Sequence, residues 1–334
     1  MARLLVTGYG GFLGRSICRQ LIAAGHQVRG LARNDYPELA TLEVETFAGD
    51  ATKIEDCRKA AVGMDGIIHT AALAGVWGRR ADFESINVDA TDHLLQVARE
   101  SGVRAFVYCS SPSVTFDGHP QSNIDESVPY PTRWLCDYPR TKAIAERRVL
   151  EASRSDGMLT CALRPHLIWG EGDPHLIPRL ISRCQSGRLR CVGDGLNRID
   201  TVHVDSAAQA HCLAVEALLN GKTEAAGRAY FITDGEPIGC WEWISQILRT
   251  AGLHPPEKRI SMRAAYVVGQ LLELAYSALQ LQQEPPMTRF VALQLGVDHY
   301  FSIELAKRIL GYQPIVDRQA KLTAMTPWLR SLAE

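Results

Sequence analysis

A tyrosine and a lysine lie four positions apart in CDYPRTKAIAERRVL, which covers residues 136–150. On a helix, Tyr138 and Lys142 share one face. Ser111 follows a strand-like segment earlier in the chain and is placed to stand beside the phenol. Such a set can protonate a carbonyl oxygen while hydride reaches its carbon. Because a phenol ordinarily has a pKa of about 10, we expect a neighbouring ammonium to lower the tyrosine pKa.

The spacing alone does not require catalysis. An amphipathic helix with a solvated lysine has the same pattern. The serine is assigned by its spacing, and Ser110 or Ser113 could share its role. The rest of the chain decides between these interpretations.

A glycine-rich turn stands near the N-terminal end of the chain, in VTGYGGFLG. Gly8, Gly11 and Gly14 follow the first strand-like segment and open a helical pattern that continues through Phe12 and Leu13. Glycine allows a tight turn and lets the backbone approach a pyrophosphate at a helix N-terminus. A glycine triplet is weak evidence by itself, but the strand-turn-helix context favours a dinucleotide site, and we expect Gly8, Gly11, Phe12, Leu13 and Gly14 to contact the cofactor.

The second strand-like segment bears on the choice of dinucleotide. It ends at Ala32, where an NAD site usually has a carboxylate for the ribose hydroxyls, and Arg33 follows. A guanidinium can pair with a 2′-phosphate, so this position favours NADP(H), although Arg33 could also be an exposed loop residue. Asp50 ends the third strand and could meet the adenine edge or cap the next helix.

The elements that must position these residues alternate along the chain. Continuous apolar strands separated by amphipathic helices predict an α/β fold, a doubly wound parallel Rossmann sheet with ligands at the strand carboxyl ends. We assign residues 1–165 to this core, with 196–235 returning to it. Residues 166–195 and 236–334 are expected to form a smaller, mostly helical substrate-binding lobe.

Composition excludes several classes of function. The 334 residues carry a formal net charge of −1, which does not suggest a nucleic-acid-binding surface. Nine scattered cysteines without a Cys-x-x-Cys pair argue against a disulfide framework and a structural zinc site, and we expect no metal. The N-terminus has no long apolar signal core, so a cytoplasmic protein is expected, with membrane association as an option.

In order, the glycine turn, HTAA (69–72), NVDAT (87–91), CSS, YPRTK and LRP (163–165) resemble an extended short-chain dehydrogenase/reductase. The resemblance implies that Asn87 maintains the active-site helix and its proton relay. It also implies that residues Pro165 to Leu167 line the nicotinamide amide, that Ala51 and Ala71 contact the cofactor, and that Tyr138 and Lys142 do so as well.

The sequence differs from two branches of this family. Pro112 follows Ser111 where sugar-nucleotide dehydratases carry an Asp-Glu pair, and Val-Thr-Phe at 114–116 stands where epimerases usually have Val-Tyr-Gly. The segments SPSVTFDG, LRPHLIWGEGDPHLIPRLI and VGDGLNRIDTVHVDSAAQAH instead resemble the 3β-hydroxysteroid dehydrogenase branch.

Within that branch, AGVWG, PMTRF and HYFSIELAKRILGYQP resemble bacterial reductases of 2-alkyl-3-ketoacids in long-chain olefin biosynthesis. The resemblance implies an NADPH-dependent reduction of a long-chain β-keto acid to the 2-alkyl-3-hydroxyacid. A 3β-hydroxysteroid or sterol-4-carboxylate dehydrogenase is the alternative, and an NAD(P)-sensing non-enzymatic subunit is a weaker one. A homodimer is the family expectation, and other enzymes of the same pathway are candidate partners.

The segment AAYVVGQLLELAYSALQL, residues 264–281, is unusually apolar. A buried or partly buried lobe helix is the commoner explanation for such a segment, and an interfacial helix that admits greasy substrates or touches a membrane is the sharper one. Candidates to face acyl chains are Tyr266, Leu271, Leu274 and Leu281, and candidates for the pocket wall are Trp77, Trp134 and Trp169.

Overall fold

The computed structural model describes residues 1–34, 36, 39, 41–153, 157–315 and 317–334. In these ranges the strands are β1 Arg3–Thr7, β2 Gln27–Ala32, β3 Val44–Ala48, β4 Gly66–His69, β5 Ala105–Cys109, β6 Gln121–Ile124, β7 Leu159–Pro165, β8 Ile168–Trp169, β9 Cys191–Val192, β10 Arg198–Ile199, β11 Val202–His203, β12 Arg228–Ile232, β13 Ile238–Gly239, β14 Arg259–Ile260 and β15 His299–Phe301.

The α-helices are α1 Phe12–Ala23, α2 Ile54–Ala61, α3 Arg80–Glu84, α4 Ala90–Glu100, α5 Asp137–Ala152, α6 Leu176–Gln185, α7 Val204–Leu219, α8 Cys240–Thr250, α9 Met262–Ala278, α10 Arg289–Gln294, α11 Glu304–Leu310, α12 Arg318–Ala324 and α13 Thr326–Ser331. A π-helical segment, Ser85–Asp89, joins α3 to α4, and a 3₁₀ turn, Pro112–Thr115, follows β5.

Seven strands form the central sheet, in the order β12-β7-β5-β4-β1-β2-β3. Every pair in it is parallel. The strand order reverses between β1 and β4, where Thr7 aligns with both Leu31 and His69. The prediction of a doubly wound parallel sheet is therefore confirmed, and the crevice at this reversal is where such sheets bind ligands.

Apolar helix faces cover both sides of the sheet. One core contains residues of α1, α7 and α11, and the other contains residues of α2, α4 and α5. The strands are buried on both faces, as the fully buried run Leu4, Leu5 and Val6 illustrates. Strand β12, far along the chain, returns to the sheet beside β7.

A third core lies in the C-terminal part of the chain and includes residues of α6, α8, α12 and α13. A small sheet, β13-β10-β15-β6, adjoins the helices there. Trp169 belongs to this core: it is fully buried, and its ring packs edge-on against His203 and Trp243. Its assignment to a pocket wall is wrong. The proposed division into two domains stays a prediction.

Helix α9 covers most of the apolar segment 264–281, and most of it faces solvent. Only Ala265 and Gly269 are buried along it, whereas Leu271 and Leu274 are 60% and 61% exposed. The helix is therefore partly buried, as the commoner of the two explanations allowed, and it packs through a narrow stripe of small residues. Among the described residues, no helix has the length and apolar character needed to cross a membrane.

Helix α5, which carries the tyrosine and the lysine, is fixed to the sheet by a buried ion pair. Glu146 of α5 is fully buried and accepts hydrogen bonds from the Arg164 guanidinium of β7, at 2.6 Å from Nη2 and 3.0 Å from Nε. The Tyr130 hydroxyl donates to the same carboxylate at 2.6 Å. The Arg164 guanidinium also lies 5.1 Å from the ring centroid of Phe231. The pair is thus almost completely enclosed.

We predict that Glu146→Gln destabilises the protein by about 3–5 kcal/mol, because it leaves the buried Arg164 charge without its carboxylate. The free energy of unfolding, measured by chemical denaturation, checks this. The matched control is Asp82→Asn, which removes an exposed ion pair with Arg79 and should cost no more than about 1 kcal/mol. Equal losses in the two variants would contradict the prediction.

Candidate active site

The turn between β1 and α1 and the start of α1 require glycine at two positions. Gly8 has φ +70, and its N–H donates to the Leu31 carbonyl at 3.0 Å. A Cβ on Gly14 would lie 2.2 Å from the Gly8 carbonyl oxygen, a contact that no real side chain makes. A Cβ on Gly11 would meet only that same oxygen, at 3.2 Å. The turn therefore presents bare backbone at the start of α1.

A cleft of about 460 Å³ opens at the carboxyl ends of β1, β4, β5 and β7. It brings together most of the predicted site residues, namely Gly8, Gly11, Phe12, Leu13, Gly14, Ser111, Tyr138, Lys142, Pro165 and Leu167. Residues more than 150 positions apart in sequence thus line one space, because parallel strands deliver their carboxyl ends to the same sheet edge.

Lys142 is only 2% exposed, although it lines the cleft. Nζ donates to the Cys109 carbonyl at 2.5 Å and sits 4.1 Å from the ring centroid of Tyr108. Burial lowers the pKa of Lys142 to about 8, although Cys109 and Glu146 nearby act in the opposite direction. The alternative of a solvated lysine on a helix face is therefore wrong.

The Tyr138 phenol differs from the sequence expectation. Burial raises its pKa well above the usual value, Cys109 raises it further, and the Ser111 hydroxyl lowers it only in part. The expected lowering by the neighbouring ammonium is not found in this structure, because Lys142 is turned toward the Cys109 carbonyl and desolvation dominates. At neutral pH the phenol holds its proton, which is the form that a proton donor needs.

In the structure, the hydroxyl of Ser111 is paired with that of Ser113. Ser111 precedes the 3₁₀ turn, and its Oγ accepts from the Ser113 N–H at 3.3 Å. The Ser113 hydroxyl donates to Ser111 Oγ at 2.9 Å. Ser110 also lines the cleft, so all three serines named from the sequence lie there.

Asn87 lies outside the cleft lining, in the π-helical segment, and is 1% exposed. Its Oδ1 accepts from the Leu73 N–H at 2.8 Å, and its Nδ2 donates to Thr141 Oγ1 at 3.1 Å. Thr141 is on α5 between Tyr138 and Lys142. The amide therefore ties the segment after β4 to the helix that carries the pair, which agrees with a positioning role; its part in a proton relay stays a prediction.

Four predicted cofactor residues also lie outside the cleft lining. Arg33 follows the end of β2 and is exposed, and Ala51 accepts a hydrogen bond from the Cys57 thiol at 3.3 Å. Ala71 packs directly against Gly8, since a Cβ added to Gly8 would lie 3.0 Å from the Ala71 Cα.

Asp50, the fourth, follows β3. Its Oδ1 accepts from the Thr52 N–H at 3.0 Å, and Lys53 is the residue that precedes α2. The alternative of Asp50 as the helix N-cap is therefore wrong: its carboxylate closes a local turn instead.

The sequence did not indicate a hydrogen-bonded chain beside the cleft. His166, which lines the cleft, lies with Nε2 2.6 Å from His299 Nδ1, and His299 Nε2 lies 2.6 Å from the Gln294 carbonyl. Both imidazoles are buried, and burial lowers the pKa of each. The next residue, Leu167, has φ +44, which is unusual for a branched side chain. The two histidines are 133 positions apart, and no local pattern signals their contact.

The apolar candidates are distributed over two places. Trp77 and Leu274 line a second cavity, of about 350 Å³, between α9 and the segment before α3. Leu271 and Leu281 are exposed, and Tyr266 and Trp134 are half-buried. Their contact with acyl chains stays a prediction.

Residues 5–263 match the model of the 3-beta hydroxysteroid dehydrogenase/isomerase family. The chain is 43% identical to the 2-alkyl-3-oxoalkanoate reductase of Shewanella oneidensis, over 95% of this chain and 83% of that protein. It is 44% identical to the protein of the same name from Stenotrophomonas maltophilia, over 94% and 95%. A 3-beta-hydroxysteroid dehydrogenase of Mycolicibacterium neoaurum is 35% identical over 99% and 92%.

Solved structures share the fold over nearly the whole chain. The crystal structure of gox2253 has a TM-score of 0.79 at 28% identity and covers 99% of this chain and 98% of its own. MoeE5, solved in complex with UDP-glucose and NAD, has a TM-score of 0.76 at 22% identity and covers 99% and 100%.

The comparisons agree with the site geometry at the level of reaction class. The relatives are named reductases and dehydrogenases, and their identity extends over almost the whole chain. The chain is an oxidoreductase and belongs to the 3-beta hydroxysteroid dehydrogenase/isomerase family.

Proposed function

We propose that the protein is an NADPH-dependent ketoreductase that reduces a 2-alkyl-3-ketoacid to the 2-alkyl-3-hydroxyacid, a step of long-chain olefin biosynthesis. The observation that carries the reaction is the single cleft that joins the glycine turn to Ser111, Tyr138 and Lys142. The substrate class is supported by the two relatives named 2-alkyl-3-oxoalkanoate reductase, at 43% and 44% identity.

The residues present fit a nicotinamide dinucleotide. Gly8 and Gly14 allow the tight turn, because a Cβ on either would lie 3.0 Å or less from neighbouring backbone, and α1 begins there without a side-chain cap on its N–H groups. Residues Pro165 to Leu167 would line its nicotinamide end, and Arg33 would pair with a 2′-phosphate. When bound, this cofactor supplies the hydride that reaches the carbonyl carbon.

The side chains of the cleft perform the proton transfer. Tyr138 is half-buried in the cleft lining, and desolvation raises the pKa of its phenol, so the hydroxyl keeps its proton and can donate it to the carbonyl oxygen as negative charge develops there. The Ser111 hydroxyl, held by Ser113, would donate a second hydrogen bond to the same oxygen and fix its orientation. One of the three N–H groups of the Lys142 ammonium donates to the Cys109 carbonyl, and we assign the other two to the hydroxyls of the nicotinamide ribose.

The alternative is oxidation of a 3β-hydroxysteroid or a sterol-4-carboxylate. It is supported by the family itself and by the relative at 35% identity. Oxidation would use the same residues, with the Tyr138 phenol accepting the proton that it donates in reduction. A non-enzymatic sensor is a weaker alternative, because such a protein has no need for the enclosed serine, tyrosine and lysine.

The proposed partners follow from this function. A homodimer, contact with a membrane surface through residues 264–281 and association with other enzymes of the same pathway stay predictions. We expect an apolar small-molecule substrate and no nucleic acid.

We predict that Tyr138→Phe lowers ketoacid-dependent oxidation of NADPH by about 10²–10⁴-fold, because the variant lacks the proton donor. The decrease in NADPH absorbance measures turnover, and NADPH fluorescence titration should show unchanged cofactor binding. The control is Tyr300→Phe in β15, outside the cleft lining, which should keep full activity.

The same assay separates the candidate functions. Turnover of a 3-ketosteroid but not of a 2-alkyl-3-ketoacid would replace the proposed substrate by the steroid alternative. Full activity of Tyr138→Phe would overturn the mechanism, whichever substrate is used.

We predict that Arg33→Ala raises the KM for NADPH by about 10–100-fold and leaves the KM for NADH within about twofold. The expected loss corresponds to charge-assisted hydrogen bonds to a phosphate that only NADPH carries. Steady-state kinetics with both cofactors check this, with Asn34→Ala at the next exposed position as the control. Equal changes for the two cofactors would assign Arg33 to the protein surface.

A further inference from the structure

The solvent side of helix α9 is an apolar stripe, here called the outer stripe. Its large side chains are exposed by 50%, 42%, 60% and 61%, and they are Val267, Val268, Leu271 and Leu274. Their spacing places them on one side of the helix. The remaining exposed positions of that side are alanines: Ala264, Ala275 and Ala278. The outer stripe therefore carries no polar side chain over about four helical turns.

Exposure of this kind is concentrated at the outer stripe. Among the described residues, ten large apolar side chains are exposed, and six of them lie between positions 267 and 281. Leu279 and Leu281, exposed by 69% and 42%, continue the stripe beyond the end of α9. Single exposed apolar residues are ordinary, whereas a contiguous apolar patch marks a binding surface. We therefore treat the outer stripe as one.

Positive charge collects where α9 begins. Two neighbouring segments meet there, residues 188–194 and 257–263, because β14 pairs with β9 in parallel. The Arg259 guanidinium donates to the Asp194 carbonyl at 3.0 Å and ties the segments together. Five exposed cations lie on these segments, which we call the basic end: Arg188, Arg190, Lys258, Arg259 and Arg263. The same segments carry two carboxylates, Asp194 and Glu257, so five positive charges against two negative ones leave a net charge of +3.

The inner side of α9 packs against a wall of the cleft. A Cβ on Gly269 would lie 2.6 Å from the Thr288 carbonyl carbon, so the two backbones are in contact. Glu273 of α9 accepts a hydrogen bond from the Arg289 N–H at 2.7 Å, at the start of α10. Phe290, the next residue of α10, lines the cleft. One helix, about 10 Å across, thus separates the outer stripe from the cleft wall.

We infer that the outer stripe docks on the surface of a lipid bilayer that contains anionic headgroups. An apolar helix face that lies parallel to a bilayer enters the boundary between headgroups and acyl chains, and nearby cations are attracted to anionic lipids. An uncharged apolar surface of another protein would cover the stripe and leave the basic end without a counterpart. Charge complementarity therefore favours the bilayer.

The inference extends the membrane contact proposed for residues 264–281. It adds the face of α9 that makes the contact and the charge of the lipid that receives it. Docking in this position would hold the cleft about one helix diameter from the bilayer surface. The inference does not depend on the reaction that the cleft performs.

The test is sedimentation of the protein with vesicles of phosphatidylcholine alone and with vesicles of phosphatidylcholine mixed with phosphatidylglycerol. At low salt, we expect binding to the mixed vesicles to be about 100-fold tighter, because three net positive charges lie near the surface. We expect this preference to disappear at about 1 M salt, where the Debye length is about 3 Å.

A first pair of variants tests the outer stripe. Val267→Gln combined with Leu271→Gln should weaken binding to the mixed vesicles by about 10–100-fold, because two aliphatic side chains no longer leave water on docking. The matched control is Val62→Gln combined with Ile315→Gln. These side chains are exposed by 62% and 54% outside α9, so the control should bind as the unmodified protein does.

A second pair tests the basic end. Lys258→Glu combined with Arg263→Glu should reduce binding to the mixed vesicles to the level found with phosphatidylcholine alone. The control, Lys53→Glu combined with Lys59→Glu, makes the same change in net charge at the two ends of α2. It should alter binding by no more than about threefold, because screening confines the attraction to charges near the bilayer. Thermal unfolding of each variant verifies that the fold is intact.

Three results would overturn the inference. Equal, salt-independent binding to both kinds of vesicle would exclude recognition of anionic headgroups. Failure to bind either kind would exclude docking on a bilayer. A dimer that dissociates in the Val267 and Leu271 variant, measured by sedimentation velocity, would assign the outer stripe to a second copy of the chain. None of these measurements uses turnover, so a failure of the proposed ketoreductase would appear separately, as absence of NADPH oxidation.

Discussion

The buried pair between Glu146 and Arg164 is the interaction on which the site depends. Two charges removed from water are stabilised when the pairing geometry is good and further hydrogen bonds reach them. Here Nε and Nη2 of Arg164 and the Tyr130 hydroxyl donate to the Glu146 carboxylate, and the ring of Phe231 covers the guanidinium. Because Glu146 lies one helical turn beyond Lys142 and two beyond Tyr138, fixing the carboxylate to β7 fixes the direction in which all three side chains leave α5.

Because the ion pair holds α5 against the sheet, the Tyr138 phenol, the proton donor, lies in the cleft at the sheet edge. With α5 held, the Lys142 ammonium reaches the Cys109 carbonyl at the end of β5, and the Tyr138 phenol is brought to the strand end that carries Ser111. Asn87 and Thr141 hold the same helix from its other side. Desolvation is the main influence on the pKa of the phenol and raises it. Tyr138 is therefore a proton donor because of where its hydroxyl lies in the cleft, and not because it is a strong acid.

Features with a signal inside a few consecutive residues could be predicted from the sequence, whereas contacts between distant segments could not. Apolar runs and the glycine turn gave the strands, their parallel arrangement and the cleft at the point where strand order reverses, because each signal lies within a few residues. The contact of His166 with His299, the direction of the Lys142 ammonium and the burial of Trp169 follow from packing between remote segments. The apolar composition of residues 264–281 suggested burial, but composition does not tell whether a helix finds a partner surface.

In the proposed reaction, hydride from NADPH reaches C3 of a branched ketoacid. The most direct measurement incubates the protein with a 2-alkyl-3-ketoacid and NADPH that carries deuterium at both C4 positions, followed by mass spectrometry and NMR of the product. We predict a 2-alkyl-3-hydroxyacid with one deuterium on C3, formed faster than any labelled product from a 3-ketosteroid. A ketoacid recovered unchanged while the steroid becomes labelled would contradict the account, as would a hydroxyacid without deuterium at C3.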